Sequence, residues 1–247
     1  MTAFIRIVLG PLQWILLGIV FASPAMASSA SASSATASSA TAATSQTILV
    51  LGDSISAAYG IEPAQGWVRL LQERLDALKP GYSVVNASVS GETTGGGLAR
   101  LPSALERHAP DVVIIELGGN DGLRGYPITR IRGNLTRMTE LALDSGARVL
   151  LAGMFVPPNY GERYMQGFND SFHEVAGQFD VPLVPFFLEG IATRPELMQD
   201  DGIHPTARAQ SMLLDNLWPL LEPLLATEQA ARLDRDGAPA VGAPRGP

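Results

Sequence analysis

Apolar residues follow one another along this chain in two alternating rhythms. Short continuous runs at Thr47-Ile48-Leu49-Val50-Leu51, Tyr82-Ser83-Val84-Val85-Asn86, Val112 to Leu117, Ala147 to Ala152 and around Val181 to Val184 have the length and aliphatic character of buried strands. Between them apolar residues recur at helical spacing, as Trp67, Leu70, Leu71, Leu75 and Leu78, then Leu98, Leu101 and Leu105, then Ile128, Ile131, Leu135, Met138 and Ala142. Tyr164, Phe168, Phe172, Val175 and Phe179 mark a fourth helix, with the aromatic stripe read as core. A last helix after Pro205 is expected to bury Ala209, Met212, Leu213, Leu217, Leu220 and Leu224. Pro80-Gly81, Gly146 and Gly153 punctuate the pattern, Gly95 to Gly97 read as a turn, and Pro102 predicts a break in the second helix.

Strands without polar alternation are covered on both faces, and right-handed crossovers set a helix between successive parallel strands. The pattern therefore predicts an α/β fold, a three-layer α/β/α domain on a parallel sheet. Its span, about 46–226, is one well-buried domain.

The ends differ in composition. Ile7 to Ala22 is an apolar stretch behind Arg6, followed by Ala25-Met26-Ala27, which has the form of a signal-peptidase site. Residues 1–27 are read as a secretory signal peptide and the protein as exported, periplasmic or secreted from a bacterium. The alternative, an uncleaved anchor, falls short of the roughly 20 apolar residues a span needs. Residues 28–45, almost wholly Ala, Ser and Thr, are read as a linker, and residues 227–247 as a disordered tail.

Formal charge is −7, and removal of residues 1–27 takes away only Arg6, leaving −8, which argues against a nucleic-acid partner. There is no cysteine, so thiol nucleophiles, thiolate metal sites and disulfides are excluded. Hydroxyl chemistry remains.

That chemistry lies at the strand ends. Ser54, in Gly52-Asp53-Ser54-Ile55-Ser56, follows the first strand, at the sheet edge where open α/β folds bind ligands. A serine hydroxyl needs a base to take its proton. His204, in Asp201-Gly202-Ile203-His204, can be that base, with Asp201 fixing its tautomer and Pro205 expected at the first position of the last helix. Gly91 follows the second strand and Asn120, in Gly118-Gly119-Asn120-Asp121-Gly122, the third. With the N–H of Ser54 they are candidate donors to an oxyanion.

These four blocks resemble the SGNH or GDSL hydrolases, named for a serine, glycine, asparagine and histidine in separate segments: Gly52-Asp53-Ser54, Gly91, Gly118-Gly119-Asn120-Asp121 and Asp201-Gly202-Ile203-His204-Pro205. Gly118 to Gly125, Val156 to Gly161 and Met198 to Pro205 further resemble the bacterial arylesterase, thioesterase I and lysophospholipase L1 branch. The resemblance implies a flavodoxin-like sheet of five strands and an acyl-enzyme mechanism without metal or organic cofactor. It implies Ser54 as nucleophile, His204 as base and Asp201 as orienting acid, with Ser54, Gly91 and Asn120 as oxyanion donors. It also implies that the loop carrying Phe155, Val156, Pro157, Pro158, Asn159 and Tyr160 shapes the substrate pocket. The expected substrate is a small ester, thioester or lysolipid, with no obligatory protein partner.

Other readings of the same residues stand beside this one. A carbohydrate deacetylase, or a flavodoxin-like binding module without turnover, would share the fold. Gly91 could serve only as a backbone of positive φ, and Asn120 as a turn residue. Asp53 and Asp200 are read as structural, with Asp200 a rival to Asp201 for the histidine. His108 and His173 fall on helices away from any strand-end motif. Glu116, inside an apolar strand, marks either a buried polar network or an edge-facing side chain.

Overall fold

The computed structural model describes residues 46–236, with side chains as far as residue 225. The readings for residues 1–45 and 237–247 lie outside them. Five strands, β1 (Gln46–Gly52), β2 (Tyr82–Asn86), β3 (Val112–Glu116), β4 (Arg148–Ala152) and β5 (Leu183–Val184), form one parallel sheet in the order β2-β1-β3-β4-β5. The helices are α1 (Trp67–Leu78), α2 (Thr94–His108), α3 (Gly119–Leu123), α4 (Ile128–Asp144), α5 (Glu162–Phe179) and α6 (Gln210–Asp236). α1 packs with α6, and α4 packs with both α2 and α5, while the central strands are buried along their apolar lengths. One helix group thus covers each face of the sheet, the predicted three layers. Among the described residues no helix is long and apolar enough to cross a membrane.

The chain crosses to opposite sides of the sheet after β1 and β3, and the neighbouring ends of these two strands open a crevice. Register sets what meets there. Gly52, the last residue of β1, pairs with Glu116, the last of β3, so both strands release their loops at one level.

Several local expectations change. Pro102 does not divide α2, because its ring sits on the exposed side, while Leu101 and Leu105 hold the helix to the core. Gly95 to Gly97 form the first turns of α2 and not a preceding turn, with the Thr93 hydroxyl accepting from the Gly96 N–H at 3.2 Å. Gly97 has a packing reason, since a β-carbon there would lie 2.3 Å from Leu117 Cδ1. In α6 the buried stripe is Leu213, Leu214, Leu217, Leu221 and Leu225, continued from Ala209 just before it, while Met212, Leu220 and Leu224 are half-buried. Asp215, Pro219 and Pro223 form the opposite, exposed stripe, and this turns Leu221 and Leu225 inward in place of Leu220 and Leu224, while Leu213 and Leu214 are both buried. α6 continues to Asp236, into the segment read as a tail. Pro205 is not at the start of α6. It pairs with Met198, and a turn of 3₁₀ helix at Ala207–Ala209 intervenes.

Glu116 is fully buried, which decides its reading in favour of a polar network. Its Oε2 accepts from the Ser56 hydroxyl at 2.6 Å and from the Asp53 N–H at 3.2 Å, and Trp67 Nε1 donates to Ser56 Oγ at 3.2 Å. The aromatic stripe is core, with Phe168 and Phe172 buried and stacked edge to face. His173 is exposed and His108 ends α2.

Candidate active site

The turn after β1 is built by its own side chains. Asp53 Oδ1 accepts from the Ile55 N–H at 3.0 Å, Ala57 N–H bonds to the Asp53 carbonyl, and Tyr59 N–H to that of Ser54. From below, the Ser56–Glu116 bond and a 2.8 Å bond from the Asn86 amide to the Ser56 carbonyl fix the same turn to β3 and β2. Ser54 is left at its top with 8% exposure.

His204 arrives from a loop before α6. Asp201 Oδ1 accepts the N–H groups of Ile203 and His204 at 2.9 and 3.0 Å, with Gly202 at φ 65° making the bend. The Gln199 amide reaches the Tyr59 carbonyl at 2.8 Å and so ties this loop to the serine turn. Across the join, His204 Nε2 lies 2.8 Å from Ser54 Oγ, and His204 Nδ1 lies 2.6 Å from Asp201 Oδ2. Asp200 is exposed, and it is Asp201 that meets the ring. Desolvation works against charge on Asp201, but the imidazole and two backbone N–H groups outweigh it and hold the carboxyl down at about 2. A permanently charged carboxylate fixes Nδ1 as the protonated nitrogen, which leaves Nε2 free to accept the serine proton.

Gly91 has φ 78°, and its carbonyl accepts from Arg124 Nη2 at 3.2 Å. A β-carbon at this position would find space, so the backbone conformation, not crowding, calls for glycine. Asn120 lies in the first turn of α3, entered through Gly118 at φ 119°, and its Nδ2 donates to Asp53 Oδ2 at 2.9 Å. Among the described residues neither the Ser54 nor the Gly91 N–H has a protein partner, and both residues border the cavity.

That cavity has a volume of about 500 Å³ and brings together Ser54, Gly91, Asn120 and His204. Its walls are largely apolar. Of the loop residues that the resemblance named, Phe155, Val156, Pro157 and Pro158 line it, whereas Asn159 and Tyr160 do not. The Tyr160 hydroxyl turns away to the Leu123 carbonyl at 2.5 Å, and its ring stacks near Tyr164. Further lining residues, Tyr59, Leu123, Met154, Phe186, Leu188 and Ile203 among them, were not foreseen. Phe186 and Leu188 follow β5, so the strand-end rule that found the other blocks would have found them too.

Two buried acids lie beneath the site. Burial drives the Asp53 carboxyl up to about 6, against the N–H of Ile55, the amide of Asn120 and the charge of His204. Burial and the neighbouring Asp53 charge push Glu116 well above the usual carboxylate range.

Comparison with known proteins agrees with this geometry. Residues 50–211 match the GDSL-like lipase/acylhydrolase family. The chain is 54% identical over 183 residues to esterase TesA of Pseudomonas aeruginosa, covering 74% of this chain and 91% of that protein. It is 43% identical over 183 residues to thioesterase 1/protease 1/lysophospholipase L1 of Escherichia coli K12, covering 74% of this chain and 86% of that protein. A crystal structure of TesA superposes with a TM-score of 0.71 at 54% identity, covering 72% of this chain and 99% of the other. The chain belongs to the GDSL-like lipase/acylhydrolase family and is a hydrolase of ester bonds.

Proposed function

We propose that this protein is an exported serine esterase that cleaves carboxylic esters of apolar acyl groups through an acyl-enzyme on Ser54. The observation that carries the reading is the unbroken chain from Asp201 through His204 to Ser54, with bonds of 2.6 and 2.8 Å. Ser54 Oγ attacks the carbonyl carbon while His204 Nε2 takes its proton. The negative charge that gathers on the carbonyl oxygen is met by the N–H groups of Ser54 and Gly91 and by the Asn120 amide, each such donor being worth about 10²- to 10³-fold in rate. Collapse of the intermediate expels the alcohol, which leaves with the proton held by His204. Water, activated by the same imidazole, attacks the acyl-enzyme through the same oxyanion site and restores Ser54.

The apolar wall around Phe155, Val156, Leu188 and Met154 favours acyl chains over carbohydrate esters. Export by residues 1–27 would keep the enzyme from cytoplasmic acyl-CoA, which leaves lysophospholipids and external esters as its substrates. The relatives' names, esterase and lysophospholipase, agree with that class.

The test is hydrolysis of p-nitrophenyl acetate, butyrate, octanoate and palmitate, beside a folded Ser54→Ala control. Turnover that vanishes with Ser54 is the expected result. Equal turnover by the control would overturn the assignment.

A further inference from the structure

Asn120 carries a demand that its own backbone does not meet. A side-chain amide is planar, with two N–H donors on one side and an acceptor oxygen on the other, and a rotation of 180° exchanges them. Turned one way Asn120 offers a donor to the oxyanion, and turned the other way it offers a second partial negative charge. Something must choose.

We propose that Asp53 is the positioning residue that makes this choice, holding the Asn120 amide so that its second N–H faces the oxyanion formed at Ser54. The proposal rests on the hydrolase reading above for the identity of that oxyanion. Asn120 Nδ2 donates to Asp53 Oδ2 at 2.9 Å, and Asp53 Oδ1 is already taken by the Ile55 N–H at 3.0 Å. Asp53 is 2% exposed and has its own N–H bonded to Glu116 Oε2 at 3.2 Å, so it has little freedom to turn. Asp53 and Asn120 both border the cavity beside Ser54.

An ionised carboxylate accepts hydrogen bonds and cannot donate them. While Asp53 is charged, the amide must therefore present NH₂ to it, and the geometry of the nitrogen sends the other N–H away from Asp53. A protonated Asp53, or an asparagine in its place, has a donor of its own and accepts the flipped amide equally well. The titratable groups facing Asp53 are Glu116 from β3, Asp121 from α3 and His204 from the loop before α6. Asp121 is occupied by Thr94, whose N–H and hydroxyl bind its two oxygens at 2.8 and 2.6 Å, which leaves Asp53 as the acid that reads Asn120.

The test is a double-mutant cycle with a spectroscopic arm. Asp53→Asn and Asn120→Ala should each lower kcat by about 10²-fold, the loss typical of one oxyanion donor, with KM within roughly threefold of the parent. The double variant should be no slower than the worse single variant. Losses that multiply to about 10⁴-fold would show that Asp53 acts apart from Asn120 and would overturn the proposal. In a His204→Ala background, where the neighbouring imidazole no longer titrates and its charge no longer lowers Asp53, the Nδ2 resonances of ¹⁵N-labelled Asn120 should move with a midpoint at or above the Asp53 value of about 6. Resonances unchanged between pH 5 and 8 would equally overturn it. This arm needs no turnover, so a parent enzyme without Ser54-dependent activity would sink the hydrolase reading while the spectrum still decides the Asp53–Asn120 pairing.

Discussion

The Ser56 hydroxyl donates to Glu116 Oε2 at 2.6 Å, and this one bond joins the serine turn after β1 to the end of β3 across 60 residues. It has a thermodynamic signature. Glu116 is fully buried, and burial with the adjacent Asp53 charge keeps its carboxyl protonated well above the ordinary 4.5. In the unfolded chain the same group ionises at its ordinary value. Above that value the unfolded state therefore binds fewer protons than the folded state, and stability falls as pH rises, until the folded group itself ionises.

Glu116→Gln should remove that dependence. Its amide oxygen can accept from Ser56 and Asp53, while the NH₂ takes the place of Oε1, which has no partner among the described residues. Urea midpoints at pH 4, 5, 6, 7 and 8 should show the variant gaining on the parent by up to about 1.4 kcal/mol per pH unit above pH 5. Parallel curves would mean that Glu116 is ionised in the folded protein.

Asp201 works in the opposite direction. Held at about 2, it stays charged through the range in which esters are assayed, so the acid limb of kcat/KM does not arise from it. Asp201→Ala and Asp201→Asn should both reduce kcat by roughly 10²- to 10⁴-fold, because an amide can turn its NH₂ to Nδ1 and so favour the wrong tautomer. Steady-state kinetics on p-nitrophenyl butyrate measure this. An Asp201→Asn enzyme within tenfold of the parent would show that the carboxylate's charge and acceptor pattern are dispensable.

The strands and the four blocks were legible because each is local. A run such as Ile48 to Leu51 declares a buried strand by itself, and Ser54 and Asn120 each follow one directly. What escaped was set by register and by side-chain competition. Nothing near Glu116 in sequence announces Ser56, and only the pairing of Gly52 with Glu116 brings them together. Asp53 read as structural because its bond to Ile55 is local, while its bond to Asn120 spans 67 residues. The later leucine doublets of α6, Leu220-Leu221 and Leu224-Leu225, offered two helical registers, and the exposed prolines chose between them. Asn159 and Tyr160 shared a motif with their neighbours, yet a turn of 3₁₀ helix at Pro158–Tyr160 carries them off the cavity wall.

Gly52 should tolerate no side chain. A β-carbon there would lie 2.7 Å from both Cβ and Oγ of Ser56 and 2.8 Å from Glu116 Oε2, inside the bond that anchors the serine turn. Gly52→Ala should destabilise the fold by about 1–3 kcal/mol, as overpacking does in tight cores, and should slow fluorophosphonate labelling of Ser54 more than tenfold. Thermal melts and labelling rates of the purified variant measure the two effects. A variant with parental stability and labelling would mean that the turn can shift without cost.

The apolar wall gives the last prediction, on chain length. Phe155 is 49% exposed and stacks on Phe186 with ring centroids 4.3 Å apart and planes 9° apart, so its outer face is free to cover an acyl chain leaving the cavity. An acetyl group, seated at Ser54, is too short to reach a rim residue. Phe155→Ala should therefore leave kcat/KM for p-nitrophenyl acetate within about twofold and lower it roughly tenfold for the octanoate, the equivalent of about 1.4 kcal/mol of lost apolar contact. The octanoate loss should sit in KM, since the contact is made equally in the ground and transition states. Equal losses for both esters would place the effect at the oxyanion site instead, and an unchanged octanoate rate would show that the chain takes another path along the wall.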